Sequence, residues 1–592
     1  MSRERVFRAL LTVVFVGLLG FAAWKGHRAP PTVSHGPGFR FTEVSHSIGV
    51  DFVHRPAVLD AKLANIMPHV TGQSGAAVSV CDANGDGRPD LYATTNAPGA
   101  RNALFVNRGD GTFVDRAAEA GLAEVDVPGD GTSMGTIWAD LDGDGDQDVY
   151  VYKWGRARLY RNDGGLRFTD VTKGSGLERR MNCNAAAFLD YDRDGRLDLY
   201  VAGYFRDDVD LWNLTTTRIM QESFEFAANG GHNYLYRNLG GLHFEDVTAA
   251  TGVDSTRWAL AVACADMNED GFQDIYLAND YGPEELFLNV DGRRFELARE
   301  VGLDESSKSG MSVAMGDVMG DGHVGVFVTN ISKSGYLFQG NNLRTNRLGA
   351  RGRLENVAQD AVVDCGWAWG AQFGDFDNDG RSDLFVANGF VSASRERDYW
   401  FGMSKVAIGA GNLAEDAAFW PPMEDRSLSG YERSRVLWNQ GRARFVDVAE
   451  SVGVTDLLDG RAVALADLSG RGALDVVVSN QKGPLLVYRN EVAPGRHWVQ
   501  YALVGKGENT SAVGGRVTVR TRDRVQAAVV QVGSGYCAQN DLVLHFGLGS
   551  AERIESVVIR WPSGVEQTLG GTGDATESLR LDRRHTIREP SP

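Results

Sequence analysis

The most regular feature of the sequence is a repeated succession of apolar and polar segments. A run of small residues, such as SGAAVSVCD or GRAVALAD, leads into an Asp-rich loop, and a β-type run such as LYVAGY or LFVANG follows. An L-[FY]-x-N segment with a Gly turn comes next, and then F-x-D-V or a relative of it. Short apolar runs between Gly and Asn turns are typical of strands, so each unit is predicted to hold about four strands.

The unit recurs seven times, with Asp-rich loops that begin between residues 82 and 467. Four-stranded units in series are typical of β-propellers, because each unit buries its apolar faces against its neighbours. The sequence therefore predicts an all-β fold, namely a seven-bladed β-propeller with Ca-binding loops plus a small C-terminal β domain. The small residues fit an innermost strand, where blades converge. Phe41–Val44 is predicted to complete the last blade and so to close the ring.

The predicted domain boundaries are 1–37 for a signal peptide or signal anchor with a linker, 38–491 for the propeller, 496–570 for the second domain and 571–592 for a C-terminal tail. In 496–570, apolar and polar residues alternate, as in Arg516–Arg520, which indicates strands. Two long insertions, Phe205–Gly231 and Val391–Tyr431, interrupt the repeat. Insertions in repeat arrays project from one face and often carry the binding function.

The repeated loop has the form Asp-x-Asp/Asn-x-Asp-Gly-x-x-Asp. Ca²⁺ is a hard cation that takes six to eight oxygens at roughly 2.3–2.6 Å. Side chains at positions 1, 3, 5 and 9 and a carbonyl at position 7 can supply most of them, and Gly at position 6 permits the sharp turn. The loop differs from an EF-hand, because position 12 of the first copy is Ala93 rather than Glu. Asx-turns without metal are the alternative.

Five copies of the loop are complete, and their repetition favours calcium, with about five Ca²⁺ sites. The predicted ligands are Asp82, Asn84, Asp86 and Asp90; Asp140, Asp142, Asp144 and Asp148; Asp190, Asp192, Asp194 and Asp198; Asp266, Asn268, Asp270 and Asp274; and Asp375, Asp377, Asp379 and Asp383.

Two further copies are degraded: Asp317–Met319–Asp321–Gly325 and Asp467–Ser469–Arg471–Asp475. The first is predicted to be weak or empty. In the second, we hypothesise that the Arg471 guanidinium pairs with Asp467 and Asp475 and replaces the ion.

Composition limits the partners of the chain. With 60 Lys and Arg against 78 Asp and Glu, the net charge of −18 argues against nucleic acid, which would need a basic stripe. The five cysteines form no CxxC pair, so a zinc module is not indicated. Buried free thiols are favoured, and a disulfide between Cys183 and Cys365 is the alternative. The 11 histidines include no HExxH motif, so a catalytic zinc site has no support.

The first residues have the composition of a targeting segment. Arg3, Arg5 and Arg8 precede the uncharged apolar run Ala9–Trp24, which Lys25 closes. This order is typical of a secretory signal or an uncleaved signal anchor. The run is short for a helix that must cross about 30 Å of hydrocarbon, but no A-x-A cleavage site follows, and membrane anchoring is slightly favoured. Both alternatives place most of the chain outside the cytoplasm, as a secreted, periplasmic or membrane-anchored protein.

Both regions resemble known families. The repeats resemble the FG-GAP/VCBS repeats of integrin-α-type propellers, and 496–570 resembles the ASPIC/UnbV domain. The segments that carry the second resemblance are Ala512–Val517, Gly533–Tyr536, His545–Gly549 and Trp561–Gly564. The combination resembles the cartilage acidic protein family and its bacterial relatives, which implies secretion, calcium binding and a β-sandwich-like cap. The departures are the two degraded loops and Cys537, where relatives usually carry another residue.

Two functions remain open at this stage. The favoured one is a monomeric binding, scaffold or adhesion-type protein for a protein or polysaccharide ligand. The alternative is a calcium-dependent lyase or hydrolase with its site at the channel mouth. An enzyme should bring ionisable groups with perturbed pKa values together in that mouth, whereas a binding module should expose an aromatic or apolar patch.

Three local patterns have a structural and a functional interpretation. Gly131–Gly135 matches the G-x-S-x-G nucleophile motif but aligns with the small-residue strands, so strand structure is favoured. Arg108–Asp110 is an RGD tripeptide in a predicted hairpin turn, where turn chemistry explains it. Trp212, Trp400 and Trp420 lie in the insertions, where packing is favoured over sugar stacking.

Overall fold

The computed structural model describes residues 36–127, 129–303, 308–408, 412–570 and 574–590. The predicted signal or anchor run, Ala9–Trp24, lies outside these residues. Within them, no helix is both long and apolar enough to cross a membrane. The fold is all-β, as predicted, and Phe39–Pro592 forms one compact unit.

Seven four-stranded groups, called sheets 1 to 7, account for most of the described chain. Sheet 1 is Val78–Cys81, Asp90–Ala93, Ala103–Asn107 and Phe113–Asp115; sheet 2 is Gly131–Ala139, Asp148–Arg156, Arg158–Asn162 and Phe168–Asp170; sheet 3 is Arg180–Leu189, Asp198–Phe205, Tyr234–Asn238 and Phe244–Asp246; sheet 4 is Trp258–Ala265, Asp274–Asp280, Glu285–Val290 and Arg294–Leu297; sheet 5 is Val313–Gly316, Gly325–Val328, Asn342–Arg347 and Arg353–Asn356; sheet 6 is Ala368–Gly374, Asp383–Asn388, Arg435–Asn439 and Phe445–Asp447; and sheet 7 is Gly460–Ala466, Asp475–Asn480, Leu486–Val492 and Phe39–Glu43.

Neighbouring strands within each group are antiparallel and, except in sheet 7, follow in chain order. Sheets 2 and 3 are also joined into one eight-stranded sheet, because Asp148–Arg156 pairs with Arg180–Leu189, and Ala538–Gln539 adds a parallel strand to sheet 1. In sheet 7 the fourth strand comes from the other end of the described chain, since Phe39–Glu43 pairs with Leu486–Val492. The first strand of each sheet packs beside the first strand of the next, and those of sheets 1 and 7 are also neighbours. Small residues are needed there: a Cβ on Gly370 of sheet 6 would lie 2.1 Å from the carbonyl oxygen of Arg461 in sheet 7.

Because consecutive strands are antiparallel, their connections alternate between two ends of the sheets. The Asp-rich loops join first to second strands, and we call that side the loop end. Both long insertions and the hairpin Ser332–Phe338 join second to third strands on the other side, the insertion end.

The second domain is built from two sheets. One contains His497–Val504, Leu544–Gly549 and Arg583–Arg588, and the other contains Val525–Val529, Arg516–Arg520, Ser556–Arg560 and Glu566–Leu569. Arg583–Arg588 belongs to the segment predicted as a tail, yet it pairs in parallel with His497–Val504. This sheet therefore includes residues beyond the predicted boundary at 570, because the register is set by a partner strand that is distant in sequence.

The described helices are short. The α-helices are Met67–Thr71, Ala117–Ala120, Thr248–Thr251, Leu348–Arg351, Trp400–Ile408 and Asn412–Glu415, and the 3₁₀ helices are His46–Ile48, Ala61–Leu63, Asp360–Val362, Ala417–Phe419 and Asp574–Leu579.

The largest apolar core lies under the insertions. It joins side chains of both insertions, the segment Ala57–Val70, several first strands, and Tyr536 and Cys537 of the second domain. Trp400 and Trp420 are buried there, so the packing interpretation of these two side chains is confirmed. All five cysteines are buried free thiols, so the Cys183–Cys365 disulfide is not formed.

Candidate metal centres

The seven Asp-rich loops share one backbone conformation. Position 6 is Gly in every copy and has positive φ, from 73° at Gly472 to 97° at Gly145, as the predicted turn requires. Position 4 also has positive φ in all seven copies, which the sequence pattern did not indicate. It is Gly85, Gly143, Arg193, Glu269, Gly320, Asn378 and Gly470.

The carboxylate at position 1 closes the turn in every copy, because one of its oxygens accepts a hydrogen bond from the Gly amide at position 6. The N···O distances range from 2.6 Å at Asp467 to 3.1 Å at Asp190. This contact is present in the degraded loops too. The position 1 carboxylate is therefore fixed by a backbone hydrogen bond and is still available to bind a cation.

The carboxylate at position 9 joins strands. In sheet 2, one Asp148 oxygen accepts from the Leu141 amide at 3.0 Å and the other from the Asn162 amide at 2.8 Å. The same pair of contacts occurs at Asp475 in the degraded loop. Position 9 thus has a structural role independent of metal, although each oxygen keeps a second lone pair. The L-x-N segment supplies the second donor, a role that the sequence analysis missed.

Position 5 often has an arginine partner from the same loop. Asp86, Asp194 and Asp379 form ion pairs with Arg88, Arg196 and Arg381, the residues at position 7. In each of these loops the guanidinium group contacts one oxygen of the position 5 carboxylate. Asp144 and Asp270 have Asp146 and Phe272 at position 7 instead.

Several of the Asp clusters could bind a metal ion. Ligand oxygens within 4.8 Å of one another are contributed by Asp140, Asp142 and Asp148; by Asp190, Asp192 and Asp194; and by Asp375, Asp377 and Asp383. In the loops that begin at Asp82 and Asp266, position 3 is Asn, and Asp266 has a buried oxygen, Oδ1, that accepts no hydrogen bond within the described part of the chain. An all-oxygen donor set with an unpartnered buried carboxylate oxygen fits a hard cation such as Ca²⁺.

The electrostatics of the loops favour a cation. Burial is the largest cause that raises the pKa of Asp148 to about 8 and the pKa values of Asp90 and Asp190 to about 7. Repulsion from neighbouring carboxylates raises them further. A bound cation would offset both effects by neutralising the charge.

Of the two ion pairs expected for Arg471 in the loop at 467, the structure has one. Arg471 Nη2 lies 3.4 Å from Asp475 Oδ1, but Arg471 Nε donates to Ser469 Oγ at 2.6 Å. The guanidinium does not pair with Asp467, which instead accepts from the Arg471 and Gly472 amides and from Gln500 Nε2 at 3.1 Å. The backbone turn places the position 1 carboxylate next to main-chain amides, and that placement is not visible in the sequence.

Comparison with known families accounts for both regions. The model of the FG-GAP-like repeat matches residues 82–151, 140–201, 226–277, 266–328 and 317–386, and the model described as ASPIC and UnbV matches residues 505–592. The chain is an FG-GAP-repeat protein with an ASPIC/UnbV domain.

Curated relatives agree with this assignment. Cartilage acidic protein 1 of Xenopus tropicalis is 25% identical over 455 residues, which is 73% of this chain and 62% of that protein. The human protein of the same name is 23% identical over 485 residues, 78% of this chain and 65% of that protein. The match thus spans less than two thirds of these two relatives.

Similarity to solved structures is more distant. The BP39L lectin of Burkholderia pseudomallei has a TM-score of 0.41 and 12% identity, over 71% of this chain and 97% of that chain. The rhamnogalacturonan lyase YesW has a TM-score of 0.35 and 14% identity, over 70% and 71%. Likenesses at this level do not bear on what the present chain does.

The ASPIC/UnbV domain contacts every Asp-rich loop of the FG-GAP repeats. The hydrogen-bonded pairs, with the residue of the ASPIC/UnbV domain first, are Arg584–Gly87, Thr510–Asp140, Asn509–Gly195, Arg516–Glu269, Ala527–Asp317, His545–Asn378 and Gln500–Asp467. The candidate metal loops are therefore also the surface on which the domain sits. Sequence spacing could not indicate this role, because the partners are far apart in the chain.

One segment of the ASPIC/UnbV domain, residues 531–541, lies among the first strands of the seven sheets. Gln539 bonds to the Trp138 amide at 2.8 Å, Asn540 accepts from the Leu465 amide at 2.9 Å, and Gln531 donates to the Cys264 carbonyl at 3.1 Å. Tyr536 donates to the Gln73 carbonyl at 2.8 Å. Segment 531–541 therefore lies against the first strands of sheets 2, 4 and 7.

Two of the remaining sequence patterns have structural explanations. Ser133 lies within the first strand of sheet 2 rather than in a strand-turn-helix elbow, and its hydroxyl donates to Asp126 Oδ1 at 2.6 Å. Asp110 of the RGD tripeptide accepts from the Thr112 amide at 2.9 Å, which is an Asx-turn contact. The favoured interpretations, strand and turn, are confirmed.

His69 provides a pH-dependent test of the core under the insertions. Its ring packs against Phe390 and Trp420, with centroids 5.2 and 5.1 Å apart, and neither ring nitrogen has a hydrogen-bond partner among the described residues. Burial lowers the pKa of His69 to about 4, from an ordinary value of 6.5. Below pH 6.5 the unfolded chain therefore takes up a proton that the folded chain excludes, and stability falls until the pH reaches about 4.

We expect His69 to cost about 2 kcal/mol of stability between pH 7 and pH 5, and His69→Leu to remove that part of the pH dependence. Urea unfolding at the two pH values measures it, with His232→Leu as the control, because His232 is half exposed beside Asp254. Equal pH dependence in the wild type and His69→Leu would contradict the expectation.

Proposed function

We propose that this chain is an exported, calcium-binding β-propeller that binds a protein or polysaccharide ligand as a scaffold or adhesion-type protein. The seven sheets would be the blades, arranged in a closed ring. Two observations support closure: the first strands of sheets 1 and 7 are neighbours, and the strand Phe39–Glu43 completes sheet 7. We further propose a monomer outside the cytoplasm, with the N-terminal segment as signal or anchor.

Calcium is proposed for the five complete loops. The shared turn, the buried carboxylates and the unpartnered Asp266 Oδ1 support this assignment. The loop at 317 lacks a carboxylate at positions 3 and 9, and its Asp321 already pairs with Arg347 at 2.7 Å. The loop at 467 carries Arg471 in place of the central carboxylate. We therefore propose that neither degraded loop holds a cation.

The observation that carries the proposal is an exposed aromatic surface at the insertion end. Tyr336, Phe338 and Phe401 are 57%, 56% and 69% exposed. Tyr336 stacks on Trp400 with centroids 5.3 Å apart, Phe338 follows in the same hairpin, and Phe401 follows Trp400 in the same helix. We therefore treat these three exposed rings together and call them the aromatic patch. Exposed aromatic side chains in a cluster favour a docking surface, because burying them on a partner is favourable.

An enzyme with its site in a channel mouth has less support. Segment 531–541 packs against the first strands of sheets 2, 4 and 7, and side chains of both insertions are buried in the largest apolar core. Asp280 illustrates the consequence: burial raises its pKa to about 7, but the carboxyl is enclosed and contacts the Tyr204 hydroxyl at 3.0 Å. A perturbed carboxyl that substrate cannot reach favours structure over catalysis.

The proposal is tested by screening the calcium-loaded chain against a glycan array and a panel of purified extracellular proteins. The aromatic patch is then altered by Tyr336→Ser, Phe338→Ser and Phe401→Ser together. We expect at least a tenfold loss of affinity for any ligand found, because about 1.4 kcal/mol is lost for each factor of ten and three aromatic contacts exceed that.

Leu239→Ser is the matched control, since Leu239 is 53% exposed but lies in a turn at the loop end. It should leave binding unchanged. Retained binding by the triple variant would show that the ligand docks elsewhere, and steady hydrolysis or cleavage of a hit would favour the enzyme alternative.

A further inference from the structure

A cavity of about 280 Å³ lies between two Asp-rich loops and the ASPIC/UnbV domain. The loops that begin at Asp190 and Asp266 form one wall, and Gly514, Arg516, Arg560 and Trp561 form the other. Four buried polar atoms of the lining have no hydrogen-bond partner among the described residues. Arg193 Nε, Arg516 Nε and Gln273 Nε2 are donors, and Asp266 Oδ1 is the carboxylate oxygen proposed above as a calcium ligand.

Arg193 occupies a position where the backbone disfavours it. It is at position 4 of its loop with φ of 58°, a left-handed conformation that disfavours a residue with a Cβ. Four of the seven loops have Gly there. The two other exceptions have contacts with the ASPIC/UnbV domain: Glu269 bonds to Arg516 at 3.0 Å, and Asn378 to His545 at 2.7 Å.

Arg193 differs from both exceptions. Within the described chain, no carboxylate oxygen lies within 4 Å of its guanidinium, which instead lies over the Phe272 ring at 4.4 Å. A strained residue with an unpaired charge persists when something else uses it. Among the described residues the guanidinium has the Phe272 ring beneath it but no carboxylate oxygen to accept its hydrogen bonds.

The orientation of the Gln273 amide is fixed by its other atom. Its Oε1 accepts a hydrogen bond from the Asp190 amide at 3.0 Å, so Nε2 is the free donor. Gln273 is only 6% exposed. Arg516 is fixed in the same way, because its Nη1 donates to Glu269 and its Nη2 to the Gly322 carbonyl, which leaves Nε.

Glycines make room for these donors. A Cβ on Gly514 would lie 2.8 Å from Gln273 Cδ, and a Cβ on Gly271 would lie 2.2 Å from Arg193 Nη2. The cavity is thus shaped around the two side chains. Buried donors left without acceptors are costly, so a ligand that supplies acceptor oxygens would be stabilised here.

The charges around the cavity depend on calcium. Glu269 and Glu566 are already paired with Arg516 and Arg560, at 3.0 and 3.1 Å. The other lining carboxylates belong to the two loops, and cations at the loops would neutralise them. The Arg193 charge would then be uncompensated, and an anion would be attracted.

We propose that this cavity is an oxyanion-binding site, which takes a carboxylate or sulfate group of a ligand between Arg193, Arg516 and Gln273. Guanidinium and amide N–H groups suit an oxyanion, because each oxygen accepts hydrogen bonds and the charges are opposite. The site is separate from the aromatic patch. This inference rests on the proposed function, because it requires calcium in the loops that begin at Asp190 and Asp266. Calcium and the oxyanion should therefore strengthen each other's binding.

The test titrates the calcium-loaded full chain with sodium glucuronate, glucose and sodium sulfate at constant ionic strength, by calorimetry. Glucuronate should bind and glucose should not. Sulfate binding as well would show that the oxyanion alone is recognised, whereas glucuronate binding alone would show that the sugar ring contributes. Binding of none of the three, or equal binding of glucose and glucuronate, would overturn the proposal.

Variants then assign the site. Arg193→Gln should weaken glucuronate binding at least tenfold, and Gln273→Glu should abolish it by repulsion. Arg293→Gln, at an exposed position in the turn between the third and fourth strands of sheet 4, should have no effect. Unchanged affinity in Arg193→Gln would overturn the assignment.

Arg193→Gly separates a ligand-binding role from a structural one. It relieves the left-handed strain and should raise the unfolding midpoint while binding is lost. A lowered midpoint without ligand would show that Arg193 is structural and would contradict the proposal. Calcium content, measured on the same samples, separates failure of this site from failure of the proposed calcium loops.

Discussion

Removing calcium should lower the unfolding midpoint of this protein by roughly 10 °C or more. A ligand that binds only the folded state adds about 4 kcal/mol per site when it is present at a thousand times its Kd. Two such sites already suffice, because a large domain shifts by roughly 2 °C for each kcal/mol. The loops also carry the ASPIC/UnbV domain, so unscreened carboxylates would weaken its docking as well as each loop. Thermal unfolding with and without chelator, after verified metal removal, measures the effect.

The number of calcium ions bound per chain provides the control for this prediction. The wild type should bind about five calcium ions, and Asp144→Ala should lose one and keep the fold, since repeats interact mainly with their neighbours. Asp321→Ala, in the degraded loop at 317, should lose none. An unchanged melting curve in chelator would contradict structural calcium, and a lost ion in Asp321→Ala would show that the degraded loop is occupied.

Replacing Tyr536 by Ala should destabilise the chain by about 3–5 kcal/mol, the usual cost of removing a large buried ring. Tyr536 is fully buried, its ring meets that of Trp369 at a centroid distance of 4.9 Å, and its hydroxyl donates to the Gln73 carbonyl. It joins the ASPIC/UnbV domain to the segment beneath the insertions. Urea unfolding followed by tryptophan fluorescence measures the change.

Tyr536→Phe separates packing from hydrogen bonding. It keeps the ring and should cost only about 1 kcal/mol, the net value of one hydrogen bond. If Tyr536→Ala also costs about 1 kcal/mol or less, then segment 531–541 does not contribute to the common core, and the two regions would be expected to unfold separately.

The repeat could be recognised from the sequence because the residues that define it lie close together in the chain. Gly at position 6, the Asp spacing and the alternation of apolar strands with Gly/Asn turns each act within a few residues. The same locality explains why Phe41–Val44, with the motif of a fourth strand, could be placed beside the last unit; the strand observed there is Phe39–Glu43. The Trp400 and Trp420 side chains were also judged correctly, because large aromatic residues in a compact chain are usually buried.

Other features depended on distant partners. Asp475 looked like a remnant of a metal site, but it holds the amides of Leu468 and Asn490. Arg471 looked like a partner for Asp467, but main-chain amides took that place. Arg583–Arg588 looked like part of a tail and is a strand of the ASPIC/UnbV domain. In each case the partner was set by the packing of segments that are remote in the chain.

The sequence by itself determined the all-β class, the seven-fold repeat of an Asp-rich turn and the two families, because periodic patterns and turn residues are properties of neighbouring positions. Only the tertiary structure decided that the ASPIC/UnbV domain rests on all seven loops, that its segment 531–541 packs against the first strands, and that Arg193 lines a cavity with no carboxylate partner among the described residues. Those facts depend on which segments, distant in sequence, bury their apolar surfaces against one another, and no local sequence pattern encodes that pairing.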